Sequence, residues 1–164
     1  MRRGALPKLG EAMNDAKRLA RDHHLIRAKL DELEAALKQE HGWWPTRRAC
    51  VSLLPVLQEH LRREAGVVTS CRCGCTPQEA EELSKAGRQH PDQPQLVGDL
   101  AWLACTCGYG GMPELTPRLL ESIAQLRKNM EEEEAALFPA LRRILARRSA
   151  YDSARLIFRS SWWE

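Results

Sequence analysis

Histidine and glutamate stand at helical spacing inside rows of leucine in this chain of 164 residues. Leu19, Ile26, Leu30, Leu33 and Leu37 form one apolar row, and His23 fills its only gap, four after Leu19 and three before Ile26. His24 lies about 100° further round the same helix and is expected on its outer side. A second row, Leu53 and Leu57, continues through His60 and Glu64. An imidazole and a carboxylate four residues apart lie one above the other on a helical face. A third row, from Leu119 to Ile144, passes through Glu133 and Glu134 between Met130 and Leu137. A buried carboxylate is costly unless it is paired or coordinated. Imidazole and carboxylate aimed inward from several helices are how di-iron and di-manganese bundles hold their ions, and the same ligands suit iron, manganese or zinc. The plainer alternative is that a single inward histidine is a hydrogen-bonded core residue and that Glu131–Glu134 is a solvated face.

These rows need helices to carry them, and the composition favours helix. The chain has 23 Leu and 20 Ala against 4 Ile and 5 Val, so strong helix formers dominate and strand formers are scarce. The spacing predicts a first helix from about Leu9 to Glu40, ended by Gly42 and Pro45. A second, capped by Thr46, is expected to reach about Ala65 and stop at Gly66. Thr76 with Glu79 is a capping-box pattern opening a short helix to Ala86. A third bundle helix fits Gln95 to about Cys107. The last long helix runs from about Thr116 to Arg148, with a kink expected at Pro139. The tail from Ala150 to Glu164 suits a short packed helix.

Six cysteines provide a separate chemistry. Cys71, Cys73 and Cys75 fall within five residues, Cys105 and Cys107 form a second C-x-C pair, and Cys50 stands apart. The five clustered thiols could form a thiolate site for zinc or iron, or a redox dithiol; C-x-x-C is the commoner zinc spacing. Cys50 and Cys105 could equally be small buried apolar residues. The paired tryptophans Trp43-Trp44 and Trp162-Trp163 suit packing at the bundle ends or a partner surface. Arg142, Arg143, Arg147 and Arg148 suit the negative end of the last helix.

The exclusions are broad. Hydrophobic residues at 43% and charged residues at 29% describe a globular chain, with no apolar run long enough to span a membrane. A net charge of +3 with interleaved signs gives no footprint for nucleic acid. Neither a dinucleotide-binding nor a P-loop glycine motif is present. The opening residues are basic without an apolar stretch, which points to a cytoplasmic protein.

The residues resemble the hemerythrin-like, or HHE cation-binding, family. His23-His24-Leu25-Ile26 with Leu30 and Leu33 is similar to the family's H-x-x-I-x-x-x-L-x-x-L opening. Leu57-Gln58-Glu59-His60-Leu61-Arg62-Arg63-Glu64 resembles its L-x-x-H-x-x-x-E motif. LRKNMEEEEAALFPAL, from Leu126 to Leu141, resembles its L-x-x-H-x-x-x-E-E-x-x-L-F-P-x-L motif, which accounts for the helical Pro139. The resemblance implies an all-α, four-helix up-and-down bundle over residues 1–164, with its core at about 9–148, a Cys-rich loop and a short C-terminal helix. It implies iron held by His23, His60, Glu64 and Glu134, with both glutamates bridging and Glu133 the competing assignment. The iron centre is dinuclear or mononuclear, with zinc as the candidate at the cysteines. The implied ligand is oxygen, nitric oxide or peroxide, bound or sensed. The chain departs from the pattern at Asn129, where the family has histidine. No histidine lies on the expected third helix; His90 falls in a Pro-flanked loop before it, and Asp99 is the polar candidate on it. Two other functions fit these residues: an enzyme of peroxide or oxygen chemistry with cysteine reductants, and a metal-free or zinc-stapled interaction module.

Overall fold

The computed structural model describes residues 9–38, 43–72, 75–86, 93–105 and 112–160. Helices account for nearly all of them, and no strand occurs among the described residues. The helices are α1 (Leu9–Lys38), α2 (Trp43–Arg72), α3 (Pro77–Ala86), α4 (Gln93–Cys105), α5 (Met112–Glu132) and α6 (Phe138–Ser160). A π turn, Glu133–Leu137, joins α5 to α6. The chain is therefore all-α, as its leucine and alanine content predicts.

Helix α1 packs along α2 and also against α5 and α6, while α4 packs on α2 and α5. The core falls into two apolar clusters. One holds Ile26, Leu30, Leu33, Leu53, Leu57, Leu100, Ile123 and Met130. The other holds Leu19, Val67, Cys71, Leu83, Leu137, Phe138, Leu141 and Ile144. Along α1 the chain passes from the second cluster to the first; along α2 it passes back, so these two helices are antiparallel. From α5 to α6 it again passes from the first cluster to the second. Each path crosses the boundary at a polar residue: His23 on α1, His60 and Glu64 on α2, Asn129 and Glu133 near the end of α5. All five are buried. A polar layer thus separates two apolar halves.

Helix α2 differs from its expected bounds at both ends. Thr46 lies inside it and is buried, not at its cap. The helix also runs through Gly66 to Arg72. A glycine inside a helix costs about 1 kcal/mol relative to alanine, which is less than the burial of Val67 and Cys71 beyond it provides. Ser70 also donates its hydroxyl to the Gly66 carbonyl at 2.8 Å. The capping box at α3 forms as expected. The Thr76 amide donates to Glu79 Oε2 at 2.8 Å, and the Glu79 amide to Thr76 Oγ1 at 3.3 Å.

The final helix does not stop at Arg148 but continues through the expected separate tail to Ser160. Its basic residues therefore serve contacts other than a helix end. Arg143 pairs with Glu82 at 2.5 Å and Arg147 with Glu79 at 2.6 Å, which pins α3 to α6. Trp43 is buried, whereas Trp44 is exposed with the Arg47 guanidinium 5.5 Å above its ring. Trp162 and Trp163 lie outside the described residues.

Candidate metal centre

The polar layer gathers on His23. Its Nε2 lies 3.1 Å from Glu133 Oε2, and its Nδ1 lies 2.8 Å from Glu134 Oε1. His60 Nε2 faces the same Glu133 oxygen at 3.7 Å. The two imidazoles are 4.9 Å apart between ring centres and tilted by 55°. Phe138 packs on the other side of His23 at 4.8 Å. One donor atom from each of His23, His60 and Glu133 falls within 4.8 Å of the other two, and all three side chains are buried. Among the described residues this is the one group of three or more metal-competent side chains. Donors about 2.1 Å from a common ion stand roughly 3.0 to 3.4 Å from one another. The two separations that share Glu133 Oε2, 3.1 and 3.7 Å, lie within a few tenths of an ångström of that range, and the imidazole donors, within 4.8 Å of each other, would draw together on an ion.

The local backbone explains how two adjacent glutamates reach one ring. Pro139 lacks an N–H and its ring crowds the carbonyl four residues back. The expected disturbance takes the form of a π turn, in which the Phe138 amide bonds to the Glu133 carbonyl five residues earlier. Such turns widen a helix and recur at functional sites. Here Glu133 points inward, 2% exposed, and Glu134 flanks the ring from the rim with its side chain 39% exposed.

An arginine holds each outer carboxylate. Arg27 grips Glu134 with two bonds, 2.8 Å to Oε1 and 3.0 Å to Oε2. That hydrogen bonding, aided by the bond from His23 and opposed by partial burial, holds the Glu134 carboxyl below the usual carboxylate range. On the other histidine, His60 Nδ1 is buried with Asp22 Oδ2 facing it at 3.7 Å and no hydrogen bond made. Arg63 donates to the same Asp22 oxygen and to Glu59. The two histidines therefore share a design: Nε2 toward Glu133, Nδ1 toward a carboxylate clamped by arginine. Outer carboxylates of this kind fix the tautomer and orientation of metal-bound imidazoles. Asp22, Arg27, Arg63 and Phe138 were not expected from the rows. The adjacency of Asp22 to His23, and the placement of Arg27 one helical turn after it and of Arg63 three residues after His60, are the available signals.

The other expected ligands lie elsewhere. Glu64 is buried one turn beyond His60, outside the group of three, with interactions of its own. Asn129 is buried, but its Oδ1 accepts from Gln125 Nε2 at 2.8 Å. Asp99 pairs with Arg118 at 3.1 Å. His90, Cys73 and Cys107 fall outside the described residues. Cys71 is buried, Cys75 half-buried and Cys105 exposed, and all three are free thiols. Cys75 Sγ donates to the Cys71 carbonyl at 2.9 Å. Burial pushes the Cys71 thiol up to about 11 and raises Cys75 as well, which lowers their reactivity as free thiols. Cys50 is a buried core residue, pushed up to about 12 by burial.

Compared with known proteins, the chain matches no family model, no curated protein and no solved structure.

Proposed function

We propose that this protein is a hemerythrin-like four-helix bundle that binds a first-row transition metal, and through it a small ligand such as oxygen, nitric oxide or peroxide. The observation that carries the reading is the buried convergence of His23, His60 and Glu133 between two apolar clusters. The sequence motifs around these residues support the same family. A buried His60 Nδ1 facing a clamped carboxylate without bonding it also fits a ring whose final position is set by an ion on its far nitrogen. Two imidazoles and a carboxylate suit iron, manganese or zinc, and the family resemblance favours iron.

Bound iron would supply open coordination positions for a diatomic or peroxide ligand. The chain's own residues do the rest. His23 and His60 present Nε2, and Glu133 presents one oxygen. Glu134 accepts a hydrogen bond from the His23 Nδ1–H and keeps that ring from turning. Arg27 and Arg63 hold the outer carboxylates in place through hydrogen bonds. Phe138, Leu57, Met130 and Leu137 exclude water from either side of the layer. Binding or sensing is the reading that this buried donor set supports.

A metal-free core has one observation in its favour: His23 can satisfy both carboxylates alone, as an imidazolium donating from each nitrogen. Loading with iron(II) under reducing conditions separates the two. The metal-binding reading predicts uptake that His60→Ala abolishes, and visible and EPR spectra that change on adding nitric oxide. A wild-type chain that takes up no iron, with thermal stability indifferent to added metal, contradicts it.

A further inference from the structure

We infer that the centre is built for one cation rather than a pair, with Glu133 as its only inner carboxylate and with Glu134 and Asp22 as positioning residues outside it. This rests on the metal-binding reading above.

The donor inventory comes first. Two bridged ions need carboxylates between them and further ligands on each. Among the described residues only His23, His60 and Glu133 bring donor atoms together. Among the described residues, the other candidates for a second ion are placed otherwise: Glu64 is buried one turn beyond His60, outside the group and with interactions of its own. Asn129 Oδ1 is used by Gln125, Asp99 is used by Arg118, and α4 contributes the apolar Leu100 to the core. Glu134 is committed twice, to both arms of Arg27 and to His23 Nδ1. Swinging it onto an ion would break a bidentate guanidinium pair and leave the outer nitrogen of His23 without its acceptor.

Charge points the same way. Arg27 pairs with Glu134, and Arg63 pairs with Asp22 while also bonding Glu59. The inner set then carries a single negative charge, from Glu133. One divalent cation leaves the three inner donors at about +1, whereas two leave them at about +3, or about +2 with the buried Glu64 counted. Buried excess charge on that scale is strongly unfavourable without further anions. The same clamps that remove Glu134 and Asp22 from the inner set leave Glu134 hydrogen-bonded to His23 Nδ1 at 2.8 Å and Asp22 facing His60 Nδ1 at 3.7 Å. The ligand nitrogens are then both Nε2, and the geometry is a compact two-histidine, one-carboxylate face.

The test is a manganese(II) titration of the chelator-treated full chain, counting bound ions by loss of the free-ion EPR signal. Manganese prefers imidazole and carboxylate to thiolate, so the cysteines do not enter the count. We expect saturation at one ion per chain. Glu133→Gln should abolish uptake. Glu134→Gln and Asp22→Asn should still bind one ion, with affinity reduced about 10- to 100-fold, the usual cost of an outer-shell partner. Arg27→Leu should follow Glu134→Gln, and Arg27→Lys should recover affinity relative to it. A merely structural role would lower thermal stability in these variants without moving the affinity of the folded fraction. Two ions per chain in the wild type, or complete loss of binding in Glu134→Gln with circular dichroism unchanged, overturns the inference while leaving metal binding intact. No uptake by the wild type overturns the metal-binding reading and this inference with it.

Discussion

At the scale of single residues, the centre turns on which side chains are inner and which are outer. His23 and His60 could be picked out in advance because a leucine row admits a polar side chain only where something compensates it. The choice between Glu133 and Glu134 could not be made that way, since adjacent residues on a regular helix both lie near the same face. The structure puts Glu133 inside and Glu134 at the rim, where Arg27, on another helix, bonds it. Glu134 is held below its ordinary range by that guanidinium. Its contribution to stability is therefore present above the ordinary carboxylate range and lost as pH falls through the lowered folded value. Because the pair is substantially exposed, Glu134→Gln should cost no more than about 1 kcal/mol near neutrality. The difference from wild type should shrink to nothing in acid, which urea unfolding at both pH values would show. Thiol pKa values run the opposite way. Cys50, raised to about 12, adds stability below the ordinary thiol range that is lost as pH rises toward that value. Cys50 and Cys71 are both buried and shifted up. Brief iodoacetamide treatment of the native protein should leave both unmodified while labelling the exposed Cys105, as peptide mass mapping would report.

At the scale of elements, most helices could be read from the sequence, and their joints could not. The Thr76–Glu79 box starts α3 as a local signal should, because every partner is within four residues. Gly66 and Thr46 misled for the converse reason: their local preferences are worth about 1 kcal/mol, and packing of Val67 and Cys71 at one end of α2 and burial of Trp43 at the other outweigh them. A Cβ placed on Gly66 would meet nothing within 4 Å. Gly66→Ala should then stabilise the protein by about 0.5–1 kcal/mol, measurable as a higher urea midpoint with unchanged slope. Pro139 announced a disturbance but not its form, a π turn in which the Phe138 amide bonds to the Glu133 carbonyl. Pro139→Ala restores an N–H and permits a regular helix there. Its expected effect is a higher melting temperature together with weaker metal binding, because Glu133 and Glu134 lose the widened turn from which they flank the ring. A variant that melts higher and binds metal as well as wild type would show that the turn is incidental to the centre.

At the scale of the whole molecule, a polar layer divides the apolar interior, and the two halves meet across it. Such a layer is a liability until its charges are matched, so anything that completes it should stabilise the entire fold. A ligand that binds only the native state adds about 2.7 kcal/mol at 100 times its dissociation constant. Added manganese or iron(II) should accordingly raise the melting temperature, and Glu133→Gln should erase that response. The halves themselves are conventional packing: Leu30→Ala, in a fully buried position, should cost roughly 2–5 kcal/mol with or without metal. The most direct test of the central claim is elemental analysis of the purified full chain beside Glu133→Gln, each checked for folding by circular dichroism. The account predicts one equivalent of a first-row transition metal in the wild type, after reconstitution with iron(II) or manganese(II) if necessary, and none in the folded variant. A wild-type chain that stays metal-free after reconstitution, or a variant that keeps its ion, would contradict the assignment of His23, His60 and Glu133 as a metal centre.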